Sequence, residues 1–396
     1  MAHLLKILFR MSDDSSMSFK FYFKQKIKQF IQNIYLPAVY KKASKVVKPD
    51  KKKVIFADMH SDGLPFSMQA MYSTLVQKGY KPLIYTANIG KMSWFSSIRF
   101  MRRFMKEYAG AGYVFICSYF LPVSSCKKNP DTKVIQLWHS GGLMKKMGYD
   151  TKEDIPEYYK GNVTANYDLV TVSSTVCERV WERALRLPKG ITHATGLSRT
   201  DMYFDEQWNL KQTEKFYKLY PEAKGKKVVL YAPSFSGNAA MPQCFGIETG
   251  IDKMMQKFSD DYFFIVRLHP LLRKKYPKFW TKKDAALPTE CLLPVTNILI
   301  TDYSSVLFDY CIYKKPFVLY CPDIEEYKSD RGLYVNIEDF PAPLAKGIDE
   351  LEDVMRNRLF FEYDEEDYEG FCEKYMGMCD GKSSDRILNI IQAGRL

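Results

Sequence analysis

The chain has 396 residues, 46% of them apolar and 15% aromatic, which is enough to fill two packed cores and too much for one ordinary domain. Its formal net charge of +12 is lopsided: thirteen lysines and arginines against three acids precede Val54, leaving +10 on that arm and +2 on the remainder. A nearly neutral body argues against a nucleic-acid enzyme, whose basic residues line a groove, and no apolar run approaches the roughly 20 residues that cross a bilayer.

From the start of the chain, Leu4 to Phe9 is too short and too charged for a signal peptide. Between Phe19 and Tyr35 the residues Phe23, Ile27, Phe30 and Ile34 recur at helical spacing. Lys20, Lys24, Lys26 and Lys28 flank them, where they can reach anionic headgroups. This pattern predicts an amphipathic helix lying on a membrane surface; a basic helix packed on its own domain is the alternative. Nine cysteines, an odd number without paired spacing, predict a reducing compartment and offer no metal set. The expectation is a cytoplasmic chain with no nucleic-acid partner, held peripherally at the membrane.

Val54 to Ala57 reads as the first strand of the body, followed by a polar loop with Gly63 and a helix from about Ser67 to Lys78 that Gly79 ends. Strand-length apolar runs follow at Leu83 to Tyr85, Tyr113 to Tyr119, Val134 to Trp138, Leu169 to Val172 and Ile191 to Ala194. The aromatic and basic stretch from Trp94 to Tyr108 reads as a helix. Asp205 to Lys227 is polar and charged, and is expected to be the interdomain linker. A second set begins with Val228 to Tyr231 and continues through Phe263 to Leu268, Ile298 to Ile300 and Phe317 to Tyr320, with helices between. Asp349 to Leu359 and Ser384 to Gln392 also read as helices. The architecture is α/β, in two domains with a cleft between them.

Open α/β sheets place ligands beyond their strand ends. His139 follows Val134 to Trp138 and precedes Ser140, Gly141 and Gly142, after which Leu143 to Met147 reads as helical. The glycines would let the backbone approach a ligand, and the imidazole could take a proton from an attacking hydroxyl. Arg267 and His269 end a strand before Pro270; by alternation they share a face, which suits a pyrophosphate. Ser234 stands at another strand end. Asp302 to Ser305 form a turn before a helix beginning near Val306, so Ser304, Ser305 and free N–H groups could meet a phosphate, with no lysine in the turn to add charge. A plain capped helix would explain the same stretch. His60 has no support beyond its loop, and His193 reads as a core histidine.

Several ordered pieces resemble the CDP-glycerol glycerophosphotransferases of teichoic-acid and capsule synthesis. They are Gln136-Leu-Trp-His-Ser-Gly-Gly-Leu-Met-Lys-Lys-Met-Gly148, Gly196-Leu-Ser-Arg-Thr-Asp201, Leu230-Tyr-Ala-Pro-Ser234, Arg267-Leu-His-Pro270, Ile300-Thr-Asp-Tyr-Ser-Ser-Val-Leu-Phe-Asp309, Pro316, Arg331-Gly332 and Asp380-Gly-Lys-Ser-Ser-Asp-Arg386. Two departures stand out. Members often have Gly-Thr-Pro where this chain has Ser140-Gly141-Gly142, and many have Thr-Trp-Arg where it has Ser234-Phe235-Ser236.

The resemblance implies a GT-B-like pair of Rossmann-like domains. Residues 1–53 would be the basic membrane segment, 54–210 the acceptor domain, 211–380 the CDP-alditol domain, and 381–396 a helix crossing back. It implies His139 as general base, and His269, Ser304 and Ser305 as contacts to the nucleotide diphosphate. Asp302, Asp309 and Arg331 fill motif positions on the substrate side, and Arg199 with Asp201 forms a hinge pair. The implied reaction moves an alditol phosphate, glycerol phosphate first, from CDP-glycerol to a hydroxyl of a lipid-linked or polymeric acceptor and releases CMP without a metal cofactor. CDP-ribitol as donor, a nucleotide-sugar glycosyltransferase, and a silent membrane-bound scaffold are the alternatives.

Overall fold

The computed structural model describes residues 26–152, 154–155, 161–234, 236–238, 241–277 and 285–394. Two parallel sheets organise it. The first holds β1 (Asp50–Asp58), β2 (Leu83–Thr86), β3 (Ala111–Ile116), β4 (Lys133–Gln136), β5 (Leu169–Thr171) and β6 (Thr192–His193), in the order β2-β1-β3-β4-β5-β6. Runs such as Val54 to Ala57 and Val134 to Gln136 are buried along their whole length, because helices cover both faces of the sheet. The second holds β7 (Lys227–Ala232), β10 (Tyr262–Val266), β11 (Ile298–Thr301), β12 (Phe317–Tyr320) and β13 (Leu344–Ala345), ordered β10-β7-β11-β12-β13. A hairpin of β8 (Ser236–Asn238) and β9 (Met241–Gln243) stands apart.

The first domain starts upstream of residue 54. Helix α1 (Leu36–Ser44) continues a helical run through 26–35 and buries Ile31, Leu36 and Tyr40 in the main core. The Tyr40 ring lies 5.1 Å from that of Tyr108, and its hydroxyl accepts a hydrogen bond from the Asn129 N–H at 2.8 Å. Of the expected apolar stripe, Ile27 packs partly against this core, whereas Phe30 and Ile34 remain 55% and 59% exposed beside exposed Lys26 and Lys28. Lys20, Phe23 and Lys24 lie outside the described residues.

Helix α2 (Phe66–Gln77) ends where expected, with Gly79 at φ +83. Helix α3 (Trp94–Tyr108) starts at Ser93, whose hydroxyl accepts from the Ser96 N–H, and α4 (Thr175–Leu185) covers the other end of the sheet.

The stretch expected to be a linker is an ordered helix, α5 (Glu206–Leu219), with Gln212 and Phe216 buried. Phe216 packs edge-on to Phe263 of the second sheet at 6.1 Å. A polar composition had hidden a narrow buried face, since two positions suffice to fix a helix to a core.

The halves also meet directly. Helix α6 (Val306–Cys311) carries Phe308, which packs on Tyr375 and Phe371 of α7 (Glu365–Met376). Gly142 sits so close that a Cβ there would be 2.4 Å from the Phe308 ring. Finally α8 (Ser383–Gln392) returns to the first domain, burying Ile387, Leu388 and Ile391 with Val54, Phe56, Met68 and Leu75.

Candidate active site

The polypeptide turns sharply after β4. Trp138 takes a left-handed φ of +55, and its N–H donates to the Gln136 side-chain carbonyl at 3.1 Å. The Gln136 amide in turn donates to the Ser118 carbonyl and to Tyr167 Oη, so a buried network holds a conformation that a bulky residue rarely adopts. The turn aims His139 into a cleft, with its ring stacked on that of Trp138 at 5.1 Å and 18°.

His139 Nδ1 lies 2.8 Å from the Cys117 carbonyl. A carbonyl can only accept, so Nδ1 carries the proton and Nε2 presents a lone pair. Burial among protein atoms at the cleft wall holds the imidazole below its ordinary value of 6.5; the Cys117 bond opposes this, while Arg199 and His60 add to it. The neutral base is therefore the form present at pH 7.

Both glycines line the cleft, and both are also closely packed from behind. Gly142, at φ +62, abuts Phe308, and a Cβ on Gly141 would be 2.7 Å from Met376 Sδ. The expected helix over Leu143 to Met147 does not form. That segment is extended and pairs with the other domain: the Lys146 N–H donates to the Gly332 carbonyl at 3.0 Å, and the Tyr334 N–H to the Met144 carbonyl at 2.8 Å. Cross-domain pairing satisfies backbone groups that a single helical turn would have satisfied locally.

This pairing brings Lys145 to the junction, where its charge acts on both His269 and Asp302. The turn after β11 lacks a lysine in sequence, and the first domain supplies one in space. Burial, with Lys145 and Arg273 nearby, pushes His269 down to about 4, so it too is neutral at pH 7. Burial raises the Asp302 carboxyl to about 6, against the pull of the Ser234 N–H, which donates to both of its oxygens at 2.8 Å. Ser234 thus holds Asp302 through its backbone.

Arg267 and His269 lie beyond the strand, not on its face. β10 ends at Val266, the ladder closes with the Arg267 N–H on the Tyr231 carbonyl, and Pro270 opens a helix. Strand alternation therefore does not place the two side chains together, and Arg267 Nη1 donates to the Ala285 carbonyl at 3.0 Å. Arg331 pairs with Asp154 across the domains at 2.8 Å.

Asp309 is not at the cleft surface. It is buried in an ion pair with Arg199 at 2.8 Å and accepts from Tyr203 Oη at 3.0 Å. Arg199 also donates to the His139 carbonyl. Burial raises the Asp309 carboxyl and the guanidinium opposes it; we take the ion pair as charged because two donors converge on Oδ2. Asp201 accepts from the Ser383 and Ser384 N–H groups at 3.0 and 2.7 Å, fixing the start of α8. Arg199 and Asp201 thus each tie the first domain to later chain.

The cleft between the sheets has a volume of about 450 Å³ and is lined by His139, Lys145, Asp154, Ser305, Arg331 and Tyr334 among others. His139 from one half and Ser305 from the other share it, and Lys145, which also lines it, carries its charge to His269 and Asp302. Ser304 adjoins Ser305 in the turn, where its hydroxyl accepts from the Val306 N–H at 3.4 Å. The first N–H groups of the six-residue α6, expected to be free for a phosphate, are engaged within the turn: Leu307 donates to the Ser304 carbonyl at 3.3 Å and Phe308 to the Ser305 carbonyl at 3.1 Å, so the turn's offer to a ligand is its hydroxyls. Lys145 and Asp154 were not singled out from the sequence; the signals for Lys145 were its place six residues after a strand-end histidine and inside the Gln136 to Gly148 stretch that carries the resemblance.

A family model described as CDP-glycerol:poly(glycerophosphate) glycerophosphotransferase matches residues 40–393. The chain is 29% identical over 371 residues to a teichoic acid ribitol-phosphate primase of Bacillus spizizenii, covering 89% of this chain and 94% of that protein. It is 31% identical to the teichoic acid poly(ribitol-phosphate) polymerase of the same organism over 72% of this chain, and spans 47% of that polymerase's length. Among solved structures, the wall teichoic acid polymerase TagF superposes with a TM-score of 0.73 at 20% identity, over 93% of this chain and 96% of that one, which speaks for the fold. The chain belongs to the CDP-glycerol:poly(glycerophosphate) glycerophosphotransferase family.

Proposed function

We propose that this chain is a GT-B-type transferase that moves an alditol phosphate from a CDP-alditol to a hydroxyl of a lipid-linked or polymeric acceptor. His139 Nε2 takes the acceptor's hydroxyl proton. The freed oxygen attacks the phosphorus bearing the alditol, a new P–O bond forms, the bond to the bridging oxygen breaks, and CMP leaves with the electron pair. Lys145, Arg331, His269 and the Ser304 and Ser305 hydroxyls meet the charge on the diphosphate, an electrostatic role that asks for no metal.

The observation that carries this reading is the tautomer of His139 fixed by the Cys117 carbonyl, which leaves Nε2 unprotonated on a residue that lines the cleft together with Ser305 and Lys145. His139→Ala should lower CMP release by at least about a hundredfold with the thermal midpoint held, as loss of a general base predicts. CMP release at the wild-type rate would remove His139 from the reaction.

CDP-glycerol is the first donor to test, on the family's description. Ribitol is the second reading, supported by likeness to the ribitol-phosphate primase over nearly its whole length. Separate incubation with CDP-glycerol, CDP-ribitol and UDP-sugars, assaying the released nucleotide, chooses among them. We further propose a peripheral site at the cytoplasmic face of the cell membrane. Exposed Phe30 and Ile34 beside Lys26 and Lys28 support it, as does the excess of lysine and arginine throughout residues 1–53. Sedimentation with anionic vesicles, with and without residues 1–25, tests the leading part of that arm; undiminished binding of the shortened chain would remove residues 1–25 as the anchor.

A further inference from the structure

The cleft is lined by polar side chains, among them His139, Lys145, Asp154, Ser305 and Arg331, and by the rings of Tyr119, Trp138, Trp181 and Tyr334. Trp138 links this aromatic wall to the base: its ring meets Trp181 edge-on at 4.9 Å and 88° and Tyr119 at 5.4 Å and 83°, and it stacks on His139.

Aromatic packing alone would make this a piece of core. Two atoms argue otherwise. Tyr119 Oη and Trp181 Nε1 are both buried and have no hydrogen-bond partner among the described residues, although Trp181 is only 3% exposed. Buried tyrosine hydroxyls and indole N–H groups ordinarily find partners, because leaving one unpaired costs about 1–3 kcal/mol. Here two such groups belong to residues that line one cleft. Tyr334, across from them, differs: its hydroxyl donates to Asp150 at 2.8 Å and is already engaged.

We propose that this aromatic wall is a subsite for the open carbon chain of an alditol phosphate, and that Tyr119 Oη and Trp181 Nε1 hydrogen-bond its hydroxyls. The inference rests on the transfer reaction proposed above. Ring faces accept the C–H groups of a polyol, the phenol can donate or accept, and the indole N–H can only donate, so a chain with hydroxyls on adjacent carbons meets complementary partners. The phosphate of the same molecule would fall to Lys145 and Arg331, which line the same cleft. An alditol chain is present on the donor and at the growing end of a polymeric acceptor, and the chemistry of the pocket is the same for both.

The test uses the full chain with two variants. Tyr119→Phe removes only the hydroxyl, and Trp181→Phe removes the N–H. Binding of sn-glycerol 3-phosphate and of D-ribitol 5-phosphate is read by titration calorimetry. Each variant should raise Kd by about tenfold for the alditol phosphate that wild type binds, the usual scale of one hydrogen bond in a desolvated site. Tyr119→Phe should hold or raise the thermal midpoint, since the hydroxyl it removes has no partner in the protein.

Steady-state kinetics then identify the source. A raised KM for CDP-glycerol or CDP-ribitol with an unchanged acceptor KM assigns the subsite to the donor; the reverse, with a glycerol-phosphate oligomer as acceptor, assigns it to the acceptor. Unchanged Kd and unchanged KM in both variants, with wild type turning over, would overturn the subsite and leave the reaction standing. A wild type that releases no CMP from either donor would overturn the reaction, and the calorimetry would still decide the subsite.

Discussion

Replacing Arg199 by alanine would leave Asp309 as a carboxylate with 4% of its side chain exposed and no cation beside it. Removing one partner of a buried ion pair typically costs about 3–5 kcal/mol, because the other charge stays desolvated. We expect the upper half of that range: Asp309 Oδ1 already has no hydrogen-bond partner among the described residues, and only Tyr203 would remain on Oδ2. The double variant Arg199→Met/Asp309→Leu removes both charges and fills the space, so most of that stability should return. Activity should not return with it. Arg199 also holds the His139 carbonyl, and a base displaced by about 1 Å can lose on the order of a hundredfold in rate. Urea midpoints followed by tryptophan fluorescence give the first quantity, and CMP release gives the second. A single variant destabilised by less than about 1 kcal/mol, or a double variant with wild-type turnover, would show that the pair neither secures the fold nor positions the base.

Two further outcomes follow from the same geometry. The acid limb of kcat/KM should fall below pH 6.5, since burial depresses the His139 pKa and the active form is the neutral one. Activity should rise with pH and be flat by pH 7, while the folding stability contributed by His139 is complete above 6.5 and lost as pH falls through its depressed pKa; a limb midpoint above 7 would contradict this. Gly142→Ala would press a Cβ to 2.4 Å from the Phe308 ring at a φ of +62, and should destabilise by roughly 1–3 kcal/mol, the usual scale of overpacking. Thermal unfolding of Gly142→Ala against Gly142→Ala/Phe308→Leu checks the cause, because the smaller side chain should relieve part of the loss. Equal midpoints for wild type and the single variant would exclude close packing there.

Both sheets were legible because their strands are buried on two faces and so read as unbroken apolar runs: Val54 to Ala57, Val228 to Tyr231, Ile298 to Ile300. His139 was legible for a related reason, as a polar residue standing where such a run ends. What the sequence concealed is what arises only when distant segments meet. Nothing local marks Met144 to Lys146 as partner to Gly332 to Tyr334, so a helix was expected where a bridge forms, and Lys145 went unnoticed. Asp309 occupied a motif beside the serines, but helical geometry turns it inward to Arg199. Arg267 and His269 illustrate a boundary error of three residues that changes which face a side chain takes, since strand direction no longer applies past Val266.

The return of α8 to the first sheet has a consequence for synthesis on the ribosome. Ile387, Leu388 and Ile391 fill space against Val54 and Met68, which leave the exit tunnel more than three hundred residues earlier. Until those late residues emerge, the leading half carries an apolar gap on its outer face and is exposed to wrong partners. Chaperone occupancy of nascent chains should therefore persist until the second half has been made.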